Sequence, residues 1–207
     1  MGFLDALLGR SKPVAPNLDK LFGLASAALT LEASEEVAPT GQAAVCFKPV
    51  SGPSFSEAER ELVSLLQLED PAGPAASGAA VVPAGPAIAE SAHLEPVDKY
   101  GYRWVVVTSP DFESLVTRVH FVNSTLQDHG YGPQLLCSVF AFAPSGAAAS
   151  TYLVYLYKRG TFYPFVPLSG ERRDNEGELR LKALLGEDLS IEQDLDRWFP
   201  LWGLPVH

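Results

Sequence analysis

At 207 residues, with 47% hydrophobic and 19% charged content, the chain has a globular composition and enough length to bury a proper core. Against 15 basic residues stand 25 acidic ones, and the formal charge of −10 argues against broad binding to nucleic acid or anionic membrane. Its apolar runs fall short of the roughly 20 residues a membrane-spanning helix needs.

The opening residues 1–8 (MGFLDALL) lack a basic n-region and carry Asp5 within the apolar stretch, so they do not read as a secretory signal. Residues 2–8 are read as a short amphipathic tip that docks on its own domain or frays, or else touches a membrane or a partner. Tip and linker together occupy residues 1–16, with Lys12-Pro13-Val14-Ala15-Pro16 extended, and a single α+β domain is expected over 17–207. Asn17 is placed to cap a helix through Leu18, Leu21 and Phe22. Two strands are expected next, at 28–33 (ALTLEA) and 42–50 (QAAVCFKPV), joined by a turn at Thr40-Gly41. Ser56 with Glu59 three residues on is a capping-box signature for a helix that turns Leu62, Leu65 and Leu66 inward. From 71 to 89 the composition collapses to Ala, Gly and Pro, so residues 71–98 are read as a flexible insertion within the domain.

Order resumes at 100–108 (YGYRWVVVT), a strand rich in β-branched and aromatic residues. Ser109-Pro110-Asp111 then starts a helix carrying Phe112, Leu115, Val116, Val119, Val122 and Leu126 at helical spacing, stopped by Gly130 and Gly132-Pro133. A central strand follows at 135–143. Residues 151–165 alternate over two apolar faces around a Lys158-Arg159-Gly160 turn, a β-hairpin whose Pro164 and Pro167 place its second arm at a sheet edge. Glu171 to Asn175 reads as a helix entry. Leu179, Leu181, Leu184 and Leu185 mark a short helix, and Ser190 with Gln193 introduces a last one bearing Leu195, Trp198 and Phe199. Trp202 is expected to cover the end of the core. The sum is an α+β fold with a largely antiparallel sheet flanked by helices.

Little in the residues points to a reaction. His93, His120, His129 and His207 show no metal-ligand spacing. No Gly-x-Ser-x-Gly elbow and no phosphate-cradling loop is present. Cys46 and Cys137 lie far apart inside apolar strands and read as buried free thiols of a reducing compartment, with a disulfide as the alternative. The acidic runs Glu57/Glu59/Glu61 and Glu192/Asp194/Asp196 read as solvated faces. No catalytic, cofactor or metal residue is assigned. One cluster stands out in this acidic chain: Lys158, Arg159, Arg172 and Arg173 bracket Phe162, Tyr163 and Phe165. If the hairpin brings the two basic pairs together, they form an anion-friendly interaction surface. Alternatively, Arg172 and Arg173 pair with Glu171, Asp174 and nearby acids while the aromatics serve the core.

The opening MGFLDALLGRSKPVAPNLDKLFGL, the segments TGQAAVCFKPV and YGYRWVVV, the block LVYLYKRGTFYPFVPLSGERRDN and the ending DLDRWFPLWG together resemble the PspA-associated PspAB family. The resemblance spans nearly the whole chain except the Ala/Gly/Pro insertion. It implies a cytoplasmic accessory role in a phage-shock, envelope-stress response, alongside a PspA-like protein and often a membrane zinc protease, and it carries over no catalytic residues. The expected architecture is also similar to secretion-chaperone and YbjN-like binding folds. Two functions from different classes are expected. The favoured one is a non-enzymatic adaptor that binds a PspA-like protein or the protease through its sheet or aromatic-basic hairpin. The other is a small-anion or nucleotide-binding protein, or an enzyme, using Arg172 and Arg173 with Tyr163.

Overall fold

A computed structural model describes residues 17–68, 90–147 and 150–207. A 3-10 turn, Leu18–Gly23, leads into α1, Leu24–Glu35. Then come β1 (Val37–Phe47), α2 (Pro53–Leu68), β2 (Ser91–Leu94), β3 (Arg103–Thr108), α3 (Phe112–Leu126), β4 (Leu135–Pro144), β5 (Thr151–Leu156) and β6 (Thr161–Phe165). A two-residue pair, β7 (Pro167–Leu168) and β8 (Arg172–Arg173), precedes α4 (Asn175–Leu184) and a closing 3-10 turn, Leu195–Arg197. The main sheet runs β2-β3-β1-β4-β5-β6, and all five pairings are antiparallel. The α+β architecture expected from the sequence is the one observed.

Side chains alternate across a strand, so each strand contributes to two different layers. On one face sit the N-terminal turn and helices. Tyr155 Oη donates to the Asn17 carbonyl at 2.9 Å, and Asn123 Nδ2 on α3 donates to Ser138 Oγ on β4 at 3.0 Å. Phe112 meets Phe140 and Phe142 edge-on, with centroids 6.2 and 5.7 Å away. The opposite face carries the C-terminal tail: Tyr163 Oη donates to the Phe199 carbonyl at 2.8 Å and Tyr152 Oη to that of Val206 at 3.3 Å. Burial on both faces explains why β4 and β5 are apolar nearly throughout.

Several elements differ from the sequence reading. Residues 28–33, expected as a strand, lie inside α1, where Leu24, Ala27, Ala28 and Leu31 are buried at helical spacing. Six residues satisfy both periods, and Ala, Leu and Glu favour the helix. The neighbouring strand begins at Val37, not at 42. Thr40-Gly41, expected as its preceding turn, is absorbed as a register break between Pro39 and Ala43, with Gly41 at φ 76° and its carbonyl accepting from Ser109 N at 2.9 Å. Asn17 makes no side-chain cap, and the helix expected after it is a 3-10 turn. The second helix starts at Pro53, where a missing N–H costs nothing, and Ser56 Oγ reaches back to Gly52 O at 3.5 Å instead of capping. Leu62 is buried as expected; the side chains of Leu65 and Leu66 lie outside the described residues.

Within the segment read as insertion, Ser91–Leu94 pairs with β3 as the sheet edge, turning Ala92 inward. Residues 71–89 and the tip at 1–16 lie outside the described residues. Arg172 and Arg173 form β8 instead of a helix entry, and Asp174 is the cap, its Oδ1 accepting from Gly177 N at 2.9 Å. The last expected helix is a single 3-10 turn, capped by Asp194 and not by Ser190.

Candidate functional site

One register line crosses four strands. Trp104 on β3 pairs with Cys46 on β1, Cys46 with Cys137 on β4, and Cys137 with Leu156 on β5. All four side chains stand on the tail side of the sheet and form the floor of a half-open cavity of about 540 Å³. The volume falls in the range of small-ligand and side-chain pockets.

Two segments build its walls. The loop before β3 is folded around Asp98: Oδ1 accepts from the N–H groups of Tyr100 (2.8 Å) and Tyr102 (2.9 Å), and Oδ2 from Trp104 Nε1 (3.0 Å). Burial works to raise the Asp98 pKa, but these hydrogen bonds to the ionised form outweigh it and leave it below the ordinary range. The other wall is the tail. Trp198 stacks on Tyr163 with centroids 5.9 Å apart, its Nε1 donates to Glu192 O at 3.1 Å, and Trp202 meets Phe165 edge-on at 5.3 Å. Gly203, at φ 73°, turns the chain so that Leu204 and Val206 return to the core.

Two titratable groups of the cavity, Tyr163 and Cys46, are held in their protonated, uncharged forms. Burial pushes the Tyr163 hydroxyl well above its usual pKa. The hydrogen bond with Cys137, together with burial, pushes the Cys46 thiol up as well. Around the mouth, Tyr100, Tyr102 and Phe199 are exposed and apolar. The floor of Trp104, Leu156 and the two cysteines accommodates an uncharged apolar group.

The basic-aromatic cluster is dispersed. Lys158 and Arg159 occupy the β5–β6 turn, whereas Arg172 and Arg173 lie beyond the other end of β6. The five residues of β6 separate the pairs by roughly 15–20 Å at ~3.3 Å per residue. Phe162 and Tyr163 are both fully buried, on opposite faces of the strand. Arg173 pairs with a nearby acid, as the alternative reading expects, but that acid is Glu178 and not Glu171 or Asp174, and Arg159 pairs with Glu192. Arg159 Nε and Nη2 donate to the two oxygens of Glu192 at 2.9 and 3.2 Å, and Thr161 Oγ1 adds a third bond at 2.9 Å. These partners bring the Glu192 carboxyl down to about 2, the Arg159 hydrogen bond contributing most. Arg173 Nε donates to Glu178 Oε1 at 3.0 Å, Nη1 donates to the Trp198 carbonyl, and the guanidinium lies 5.4 Å from the Phe165 ring centre. Arg172 and Lys158 stay exposed.

The histidines do not converge. His93 lies 3.0 Å from Glu95, His129 3.7 Å from Glu61 and His120 3.9 Å from Asp19. Among the described residues, no group of three or more His, Cys, Asp or Glu is placed to hold a metal, and no helix is long and apolar enough to cross a membrane. Of the cavity residues, sequence reasoning singled out Tyr163, Phe199, Trp202 and the two cysteines, but not that they line one cavity. Tyr100-Gly101-Tyr102 beside Asp98 was the missed signal, an acid poised before a turn that presents two aromatics.

No curated protein and no solved structure matches the chain. A family model does match, over residues 1–206: PspAB, PspA associated protein B. The match takes in the cavity floor, both walls and the dispersed arginines, and the chain belongs to the PspAB family.

Proposed function

We propose that the protein is a non-enzymatic adaptor of a PspA-type envelope-stress response, and that it holds a PspA-like protein by an apolar side chain seated in the cavity between sheet and tail. The observation that carries this reading is the aromatic rim of Tyr100, Tyr102 and Phe199 around a floor of Trp104, Leu156 and the two cysteines. Exposed aromatics beside a preformed pocket are the usual anchors of protein recognition. Arg172 and Lys158 are exposed basic residues that add charge contacts to such an interface.

The small-anion or nucleotide reading has less to stand on. Arg173 is already committed to Glu178 and the Trp198 carbonyl, and Arg172 donates to Ser169 O at 3.1 Å.

The test is a binding titration of the purified chain against a purified PspA-like protein. Truncating Tyr100 and Phe199 to Ala together should weaken binding by ~2 kcal/mol, about thirtyfold, with the fold intact by circular dichroism. Unchanged affinity in the double variant would remove the cavity from the interface.

A further inference from the structure

We propose that Cys46 and Cys137 form a dithiol–disulfide modification site in the cavity floor, oxidised by exchange with a small uncharged disulfide. This goes beyond the adaptor reading and does not depend on what docks at the rim.

Two independent observations carry it. The first is register: the cysteines are direct partners across the antiparallel β1–β4 pair and stand on the same face. Opposed residues in such a pair have Cα atoms ~4.5 or ~5.5 Å apart, and both spacings fall within the window a disulfide spans. The second is access. Both cysteines are free and nearly buried, yet both line the half-open cavity, so a reagent reaches them from the mouth without unfolding. The apolar side chains of Trp104 and Leu156, which flank the cysteines in the floor, favour the approach of an uncharged reagent. With just these two cysteines in the sequence, one intramolecular product is possible.

The steps balance without another reactant. Cys137, the less buried of the two, loses its proton to solvent, and its thiolate attacks one sulfur of R–S–S–R. A Cys137–S–S–R bond forms, the S–S bond of the reagent breaks, and RS⁻ leaves and takes up a proton as RSH. Cys46 then gives up its proton, its sulfur attacks that of Cys137, and the second RS⁻ leaves as RSH. Two thiols are oxidised to one disulfide, and the reagent is reduced to two thiols.

The experiment exposes the folded full-length chain to 2-hydroxyethyl disulfide, stops samples with an alkylating agent, and reads intact mass and proteolytic peptides. The expected product has lost two hydrogens, contains peptides joined through residues 46 and 137, and reverts with dithiothreitol. Cross-link formation from the mixed disulfide should be at least about tenfold faster in the folded chain than in urea, because the strand register replaces a chance encounter. A lasting mixed disulfide on the wild-type chain with no cross-link overturns the proposal. So do thiols that react with the reagent only after unfolding. The Cys46→Ser variant should stop at the mixed disulfide on Cys137, but the wild-type measurement decides alone if that variant does not fold.

Discussion

Arg159 grips Glu192 through both oxygens of the carboxylate, at 2.9 and 3.2 Å, and so joins the β5–β6 turn to the start of the tail. The folded carboxyl titrates near 2 in place of the ordinary value of 4.5. A depressed folded pKa contributes stability that is complete above the unfolded value and is lost as pH falls through the folded one. This part of the stability should therefore decline between about pH 4.5 and pH 2. Melting curves of the wild type and Glu192→Gln, compared from pH 6 downwards, should show the wild-type advantage shrinking across that window. A constant gap would mean that the ion pair does not set it.

Arg173 and Glu178 make the more demanding pair. Glu178 is almost fully buried, accepts from Val166 N at 2.9 Å, and lies 2.8 Å from Arg173 Nη2. Arg173→Ala leaves a buried carboxylate without its counter-charge and should cost ~3–5 kcal/mol in urea unfolding. Exposed Arg172→Ala should stay within ~0.5 kcal/mol. Equal effects at the two positions would place Arg173 on the surface.

The hairpin aromatics should behave as core. Phe162→Ala removes a fully buried ring packed on Tyr155, with centroids 4.9 Å apart, and should cost ~3–5 kcal/mol. Tyr163→Phe keeps the ring and loses only the bond to the Phe199 carbonyl, for ~1 kcal/mol. Equilibrium denaturation measures both.

Asp98 organises the cavity wall, so Asp98→Ala should cost ~1–3 kcal/mol by leaving Trp104 Nε1 and two backbone N–H groups without their acceptor. Indole side-chain resonances in an NMR spectrum should report the change at Trp104. An unmoved Trp104 Nε1–H signal would dissociate Asp98 from that ring.

What the sequence disclosed was local. The start of α3 was readable only to within a turn: the sequence offers Ser109 as the cap and Pro110 as the first helical residue, whereas the cap is Asp111, whose Oδ2 accepts from Ser114 N at 2.7 Å, and the helix begins at Phe112. The β5–β6 hairpin was readable because its signal is local, with Gly160 at φ 64° in its turn. Residues 28–33 were not, because a six-residue apolar alternation fits two periods and the packing of α1 decides. The partners of the arginines were hidden differently. Glu192 stood in a run that reads as a wetted face, and only the tail's return to β6, where Phe162 N donates to Ser190 O at 2.9 Å, brings it to Arg159. The pairing of Cys46 with Cys137 rests on strand register, which no pattern within either strand contains.

The tail that roofs the cavity is tied down by side chains reaching up from the sheet: Tyr163 to Phe199, Tyr152 to Val206, and Gln42 to the N–H of His207. The floor, by contrast, is knit by strand pairing between β3, β1, β4 and β5. Floor and roof thus have separate fastenings. Loosening a tether should therefore widen the opening while the ladder beneath keeps its register, which separates the selectivity of the cavity from the integrity of the sheet.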